Sequence, residues 1–351
     1  MTSTKGLVLV TGANGFIGAR TVEALLKAGY SVRAATRSPA SSTPLLDALA
    51  EHTKSGQLSS TIVEDITAPG AFDEAVKGAT AIAHIASSVD FSVTDAEYVI
   101  GSAVKGTTGI LRSALREPGI KSFLYMSSIV AVRGQGPQWQ GRSATEEDWN
   151  DQAEEALAEL GDKPTGHSIY AVSKVRAERA FWKFRDEHAG EVGFAMSAVN
   201  PVWVAGPPLI LPKDPARLSE TAGVPYRVMA GEEVPSVGPG NGTHVDVRDV
   251  ARLVTFAVEN GGVVDGQRFI AGGNGNFANV QAYCDLLRKA YPDRREVIKE
   301  GTPGKGYLPD YSEPADARKV DASKAAKATG QGWIPFDKMI LDAAKAYERY
   351  F

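Results

Sequence analysis

The sequence is poor in the residues that build covalent and metal frameworks: of 351 residues one is cysteine and five are histidine. A lone thiol, Cys284, excludes an internal disulfide and matches a reducing compartment. Its setting, Ala-Tyr-Cys-Asp-Leu-Leu at 282–287, predicts an inert side chain on a packed helix face rather than a nucleophile. No second His or Cys stands at ligand spacing, so no metal is expected. No apolar run approaches the ~20 residues that cross a bilayer. The run Leu7–Val10 is too short for a secretory leader and passes directly into a glycine turn, so a cytoplasmic protein without a membrane partner is expected. Clustered positive charge is absent as well: 38 Lys and Arg against 42 Asp and Glu leave a formal charge of -4, with no footprint for nucleic acid. Repeats and low-complexity tracts are lacking too.

What remains is a chain long enough for one large α/β domain and a smaller lobe. Strand candidates at Leu7–Val10, Ser31–Ala35, Thr61–Val63, Ala81–Ile85 and Ser122–Met126 are separated by segments of helix length. This alternation predicts right-handed βαβ units and a Rossmann-type doubly wound parallel sheet. A sixth strand, Phe194–Val199, follows a long helix over Ile169–His188. Gly-Pro-Pro at 206–208 and Gly-Pro-Gly-Asn-Gly at 238–242 change the texture and mark the substrate lobe. The expected division is a nucleotide domain over 1–205 with a return segment at 240–272, and a discontinuous α/β lobe over 206–239 and 273–351. The acidic stretch Glu146–Leu160 reads either as a lid or as a solvated helix.

The segment Leu7–Gly18 carries the strongest signal: a strand, then Gly12, Gly15 and Gly18 at intervals of three, then an amphipathic helix from Phe16 to Ala28. Gly12 permits the tight turn, Gly15 a close backbone approach to a pyrophosphate, and Gly18 close helix–strand packing. The helix start then offers free N–H groups and a favourable dipole. The second strand closes on Thr36 and Arg37 rather than on a carboxylate, leaving room for a 2′-phosphate and giving it a planar cation. NADP(H) is therefore the expected cofactor; the bland alternative makes Arg37 a surface arginine. Arg33 either shares the task or points to solvent. Asp65 accepts an adenine amine or caps a following helix.

Tyr170 and Lys174 are four apart on a helical pattern and so share a face. An ammonium at that distance is expected to lower the phenol pKa and make Tyr170 a usable acid or base. Ser127 and Ser128 end the fifth strand, where a hydroxyl can project from the carboxyl edge of the sheet.

Thr-Gly-Ala-Asn-Gly-Phe-Ile-Gly at 11–18, Tyr-Met-Ser-Ser at 125–128 and Tyr-Ala-Val-Ser-Lys at 170–174 resemble the extended short-chain dehydrogenase/reductases over nearly the whole chain. Val-Arg-Ala-Ala-Thr-Arg at 32–37, Glu-Glu-Asp-Trp-Asn at 146–150, Asn-Pro-Val-Trp-Val-Ala-Gly-Pro at 200–207 and His-Val-Asp-Val-Arg-Asp-Val-Ala at 244–251 are most similar to the branch of dihydroflavonol, cinnamoyl-CoA and fungal aldehyde and methylglyoxal reductases. The resemblance implies that Ser128 bonds the substrate carbonyl, with Ser127 as rival, that Tyr170 donates the proton, and that Lys174 holds the nicotinamide ribose. It implies a cofactor loop of Thr11, Gly12, Asn14, Gly15, Phe16, Ile17 and Gly18. Arg37, Asp65, Ile66, Ala86, Pro201 and Val204, with Tyr170 and Lys174, complete the cofactor contacts. The family's active-site asparagine has no counterpart in Ser102–Thr107. Phe91, Ile129, Val130, His167 and Trp203 fall at pocket positions, although Trp203 also suits a core and His167 an exposed loop. His244, Asp246, Arg248 and Asp249 read as a salt-bridged structural turn at an interlobe hinge.

The implied function is NADPH-dependent reduction of a small carbonyl compound, by a monomer or homodimer. A nucleotide-sugar epimerase or dehydratase with bound NAD is the alternative enzyme, disfavoured by Arg37 and by few basic residues between Pro201 and Pro239. A non-enzymatic NADP sensor is disfavoured by the joint presence of Ser128, Tyr170 and Lys174.

Overall fold

The alternating apolar and amphipathic segments fold as a layered α/β structure because each strand, apolar on both faces, needs helices on both sides. The computed structural model describes residues 4–87, 93–161, 163–233, 242–273, 277–303 and 317–351. In chain order the first half comprises β1 (Leu7–Thr11), α1 (Phe16–Lys27), β2 (Ser31–Thr36), α2 (Pro39–Ala48), α3 (Ala50–Lys54), β3 (Leu58–Ile62), β4 (Ala81–His84), α4 (Ala96–Leu115), β5 (Ser122–Met126), β6 (Ser143–Ala144), α5 (Ala153–Ala158) and α6 (Gly166–Glu187). Then come β7 (Ala195–Pro201), β8 (Trp203–Ala205), α7 (Val224–Met229), β9 (Gly242–Asp246), α8 (Val247–Glu259), α9 (Gly261–Val264), β10 (Gln267–Ala271), β11 (Phe277–Ala278), α10 (Val280–Ala290), β12 (Lys319–Val320), α11 (Ser323–Thr329) and α12 (Phe336–Tyr347).

Seven strands form one sheet in the order β10-β7-β5-β4-β1-β2-β3. From β7 to β3 the neighbours pair in parallel. The order reverses between β1 and β4, and in such a Rossmann-like sheet the crevice outside the carboxyl ends of these strands is where a ligand sits. Every residue of β4 and β5 is buried, whereas the edge strand β3 exposes Ser59, Ser60 and Ile62. Leu9, Ile82, Phe123, Met196 and Phe181 share one core. Phe181 of α6 stacks on Tyr125 at 5.3 Å and meets Phe123 at 5.7 Å, which ties the helix to β5.

Two compact units result: Met1–Gly134, Glu146–Asn200 and Ala251–Phe269 make the first, and Gln135–Thr145, Pro201–Val250 and Ile270–Phe351 the second. Against the expected division, 135–145 and 201–205 fall in the second unit, and the return to the first begins at Ala251 rather than at 240. The second unit has a sheet ordered β11-β9-β8 and a β12–β6 pair, with Tyr283, Phe336 and Met339 in its core. Cys284 is buried there on α10, and burial pushes its thiol up to about 11. The junction of β9 with α8 is salt-bridged: Arg248 donates to both oxygens of Asp246 and to Asp342, and Tyr283 bonds His244 Nε2 at 2.7 Å. Among the described residues no helix is long and apolar enough to cross a membrane.

Candidate active site

Gly12 adopts φ +63°, and a Cβ there would lie 2.9 Å from the backbone of Ala86. A Cβ on Gly18 would lie 2.1 Å from the carbonyl oxygen of Gly12. Both glycines are therefore required by contact, the first bringing β1 to the end of β4 and the second seating α1 against the turn. Gly15 is the extended N-cap of α1 and contributes no side-chain cap, so the first N–H groups of the helix are left for an outside acceptor. Asn14 and Gly15 are exposed, Phe16 and Ile17 half-buried, at the mouth of this cradle. A pyrophosphate fits such a loop in shape and in charge.

Thr11, buried at the end of β1, accepts from the N–H groups of Ile85 and Ala86 at 3.0 Å each. Arg37 is exposed directly beyond β2 and joins no ion pair among the described residues. Arg33 is half-buried, and its guanidinium donates to the carbonyls of Ala75 and Lys77. Asp65 caps no helix, because turns follow it. Its carboxylate accepts from the hydroxyl and N–H of Thr67, which hold its pKa below the usual range. Ile66 packs on α4, where a Cβ on Gly106 would come within 2.9 Å of it.

The two serines part company. Ser127 Oγ donates to Glu178 at 2.5 Å and is consumed there. The Ser128 hydroxyl acts on the Tyr170 phenol, whose pKa it lowers, and the Ser128 carbonyl accepts from Asn200. Lys174 is buried, donates to the carbonyl of Met126 at 3.1 Å, and lies 5.7 Å from the centroid of the Tyr170 ring. Ser128, Tyr170 and Lys174 thus meet at the carboxyl end of β5.

The expected lowering of the Tyr170 pKa is not seen: burial raises it, and the opposing influence is the Ser128 hydroxyl rather than Lys174. The ammonium is engaged by the Met126 carbonyl, so desolvation of the phenolate dominates. Burial also pulls Lys174 down to about 8, against the attraction of Glu178. Desolvation is the largest cause of both shifts.

His167 lies inside the first turn of α6, exposed, because the Thr165–Ser168 capping box starts that helix three residues earlier than expected. Ile129 and Val130 are half-buried in a short 3₁₀ turn after Ser128. Phe91 lies outside the described residues. Pro201, Val204 and Trp203 fall in the second unit, where Trp203 packs against the core of Tyr283 and Phe336. Of the acidic stretch only Ala153–Ala158 is helical. Glu178, Asn200 and Arg268 were not singled out from sequence. For Glu178 the signal was present, since it continues the Tyr170, Lys174 spacing by one more turn.

Residues 8–272 match the profile of the NAD dependent epimerase/dehydratase family. The NADPH-dependent methylglyoxal reductase of Saccharomyces cerevisiae is 31% identical over 308 residues, 85% of this chain and 86% of that protein. Aldehyde reductase 2 of Sporidiobolus salmonicolor is 39% identical over 202 residues, 57% of this chain and 58% of that one. The crystal structure of yeast methylglyoxal/isovaleraldehyde reductase complexed with NADPH is similar with a TM-score of 0.84 at 28% identity, covering 98% of both chains. With the glycine cradle at the switch point, the serine strand and the tyrosine helix all in place, the chain belongs to the NAD dependent epimerase/dehydratase family, the extended short-chain dehydrogenase/reductases.

Proposed function

We propose that the protein is an NADPH-dependent reductase of small aldehydes or ketones, able to run in reverse as an alcohol dehydrogenase. The observation that carries this reading is the meeting of buried Ser128 and Lys174 with half-buried Tyr170 at the carboxyl end of β5. The cradle would hold the pyrophosphate of NADPH and Arg37 its 2′-phosphate, and the bound cofactor would supply the hydride. Ser128 donates a hydrogen bond to the carbonyl oxygen, and Tyr170 gives its phenolic proton to that oxygen as negative charge develops there. The raised pKa of Tyr170 keeps the proton in place at neutral pH until it is needed. Lys174 stabilises the phenolate left behind and holds the ribose hydroxyls. Half-buried Ile129 and Val130 suit an uncharged organic substrate. The NADPH dependence of the yeast relative and the NADPH complex of its structure support the cofactor.

The test is NADPH oxidation by the purified protein against aliphatic aldehydes, aryl ketones, diketones and ketoesters, with NADH in parallel. Turnover of any of these with NADPH is expected. Tight NADPH binding with silence across the panel would overturn the reading.

A further inference from the structure

Beneath the catalytic corner lies a second polar cluster that the reaction scheme does not use. Glu178 of α6 stands one turn beyond Lys174, and its side chain is 0% exposed. One carboxylate oxygen accepts from Ser127 Oγ at 2.5 Å and Asn200 Nδ2 at 2.8 Å. The other accepts from Arg268 Nε at 2.7 Å and Trp182 Nε1 at 3.4 Å. Asn200 Nδ2 also reaches the carbonyl of Ser128 at 3.2 Å, so one amide joins Glu178 to the main chain of the serine. Arg268 is fixed in turn: it donates to the carbonyls of Glu146 and Asp148 and lies 4.0 Å from the Trp149 ring centroid. A buried ion pair is expensive to assemble, here with Arg268 Nη2 and Asn200 Oδ1 buried without a hydrogen bond, and is weak evidence for stability, so its location is the informative fact.

We propose that Glu178 is a positioning residue for the reaction, fixing Ser128 through Asn200 and serving as the counter-charge that keeps the Lys174 ammonium protonated in its buried place. This rests on the reductase reading for its catalytic half only. The charged and titratable groups around Lys174 are His84 on β4, Tyr125 on β5, and Tyr170 and Glu178 on α6. Glu178 is the one acid among them. Removing its charge leaves desolvation unopposed, and Lys174 then gives up its proton at lower pH.

The experiment follows the ¹³Cε resonance of Lys174, assigned with Lys174→Met, through a pH titration of the full-length wild type and of Glu178→Gln. Alongside, kcat, KM and the dissociation constant of NADPH are measured. Glu178→Gln should move the Lys174 midpoint down by about one pH unit and shift the alkaline fall of kcat with it. At neutral pH kcat should drop about tenfold while NADPH affinity changes by less than about twofold, because no cofactor contact is touched. A Lys174 midpoint that does not move, or a kcat that survives unchanged, overturns the proposal. If the wild type proves inactive, the reductase reading falls, and the midpoint alone decides the role of Glu178. Should Arg268, stranded without its partner, prevent Glu178→Gln from folding, Glu178→Gln with Arg268→Met is titrated instead, and the Lys174 midpoint should still move down, by less than in the single variant because a cation leaves with the carboxylate; a midpoint that stays or rises overturns the proposal.

Discussion

The hydroxyl of Thr11 donates to Nδ1 of His84 at 2.8 Å, from the end of one central strand to the end of its neighbour. The donor is settled by counting: both lone pairs of Thr11 Oγ1 are taken by the N–H groups of Ile85 and Ala86, so its proton goes to the imidazole. His84 is therefore neutral, with its own proton on Nε2. Burial, helped by the Lys174 charge, agrees by pushing its pKa down to about 3.

This relationship sets an acid sensitivity. Between the ordinary histidine value of 6.5 and the folded value of about 3, the unfolded chain binds a proton that the folded protein refuses. The His84 contribution to stability is thus complete above about pH 6.5 and declines as pH falls, by roughly 1.4 kcal/mol per unit. Urea unfolding of wild type and His84→Phe at pH 7 and pH 5 should show the stability gap shrinking by about 2 kcal/mol at the lower pH. A gap independent of pH would mean that the folded protein takes the proton.

Tyr170→Phe should abolish turnover, with kcat down by at least ~10³-fold, because the proton donor is removed while the packing of the ring remains. NADPH binding, read by fluorescence titration, should stay within about twofold. Substantial residual activity would reassign the donor.

Arg37→Ala separates the two nicotinamide cofactors. A charge-assisted bond to a 2′-phosphate is worth about 1.5–3 kcal/mol, so NADPH affinity should fall about 10–100-fold while NADH affinity hardly moves. Equal weakening of both would leave Arg37 an ordinary surface arginine.

Two glycine substitutions should act in opposite directions. Gly18→Ala drives a Cβ to 2.1 Å from the Gly12 carbonyl oxygen, a backbone atom that cannot swing aside. A loss of about 3 kcal/mol and weakened NADPH binding are expected from forced movement of the cradle. Gly101, inside α4, has nothing within 4 Å of its would-be Cβ, and Gly101→Ala should add about 0.5–1 kcal/mol. Denaturant midpoints for the pair measure both effects.

Local features were legible in the sequence, and long-range pairings were not. β5 follows its apolar run residue for residue, since a central strand buried on both faces writes its limits as a change in polarity. β3 begins at Leu58, earlier than its apolar residues suggest, because an edge strand carries serines on its open side. The start of α6 was written in Thr165 and Ser168, a capping pattern that apolar periodicity alone passes over. Ser127 and Ser128 were visible as a pair, yet only the third dimension assigns the first to Glu178 and the second to Tyr170. Arg33 resembled a cofactor residue because nothing near it in sequence reveals the carbonyls of Ala75 and Lys77. Tyr170 responds to burial more than to its charged neighbour, and burial depends on the whole fold.

The Glu178–Arg268 pair also has a meaning in time. Its partners are ninety residues apart, and translation at ~5–20 residues per second delivers the arginine on the order of ten seconds after the glutamate. A nascent chain that has not yet released Arg268 from the ribosome holds a carboxylate without its cation, which resists leaving water. The corner that carries Ser128, Tyr170 and Lys174 is therefore among the last parts of the first unit to be completed. Ribosome-stalled chains ending before β10 should leave α6 open to protease, and chains long enough to expose Arg268 should protect it.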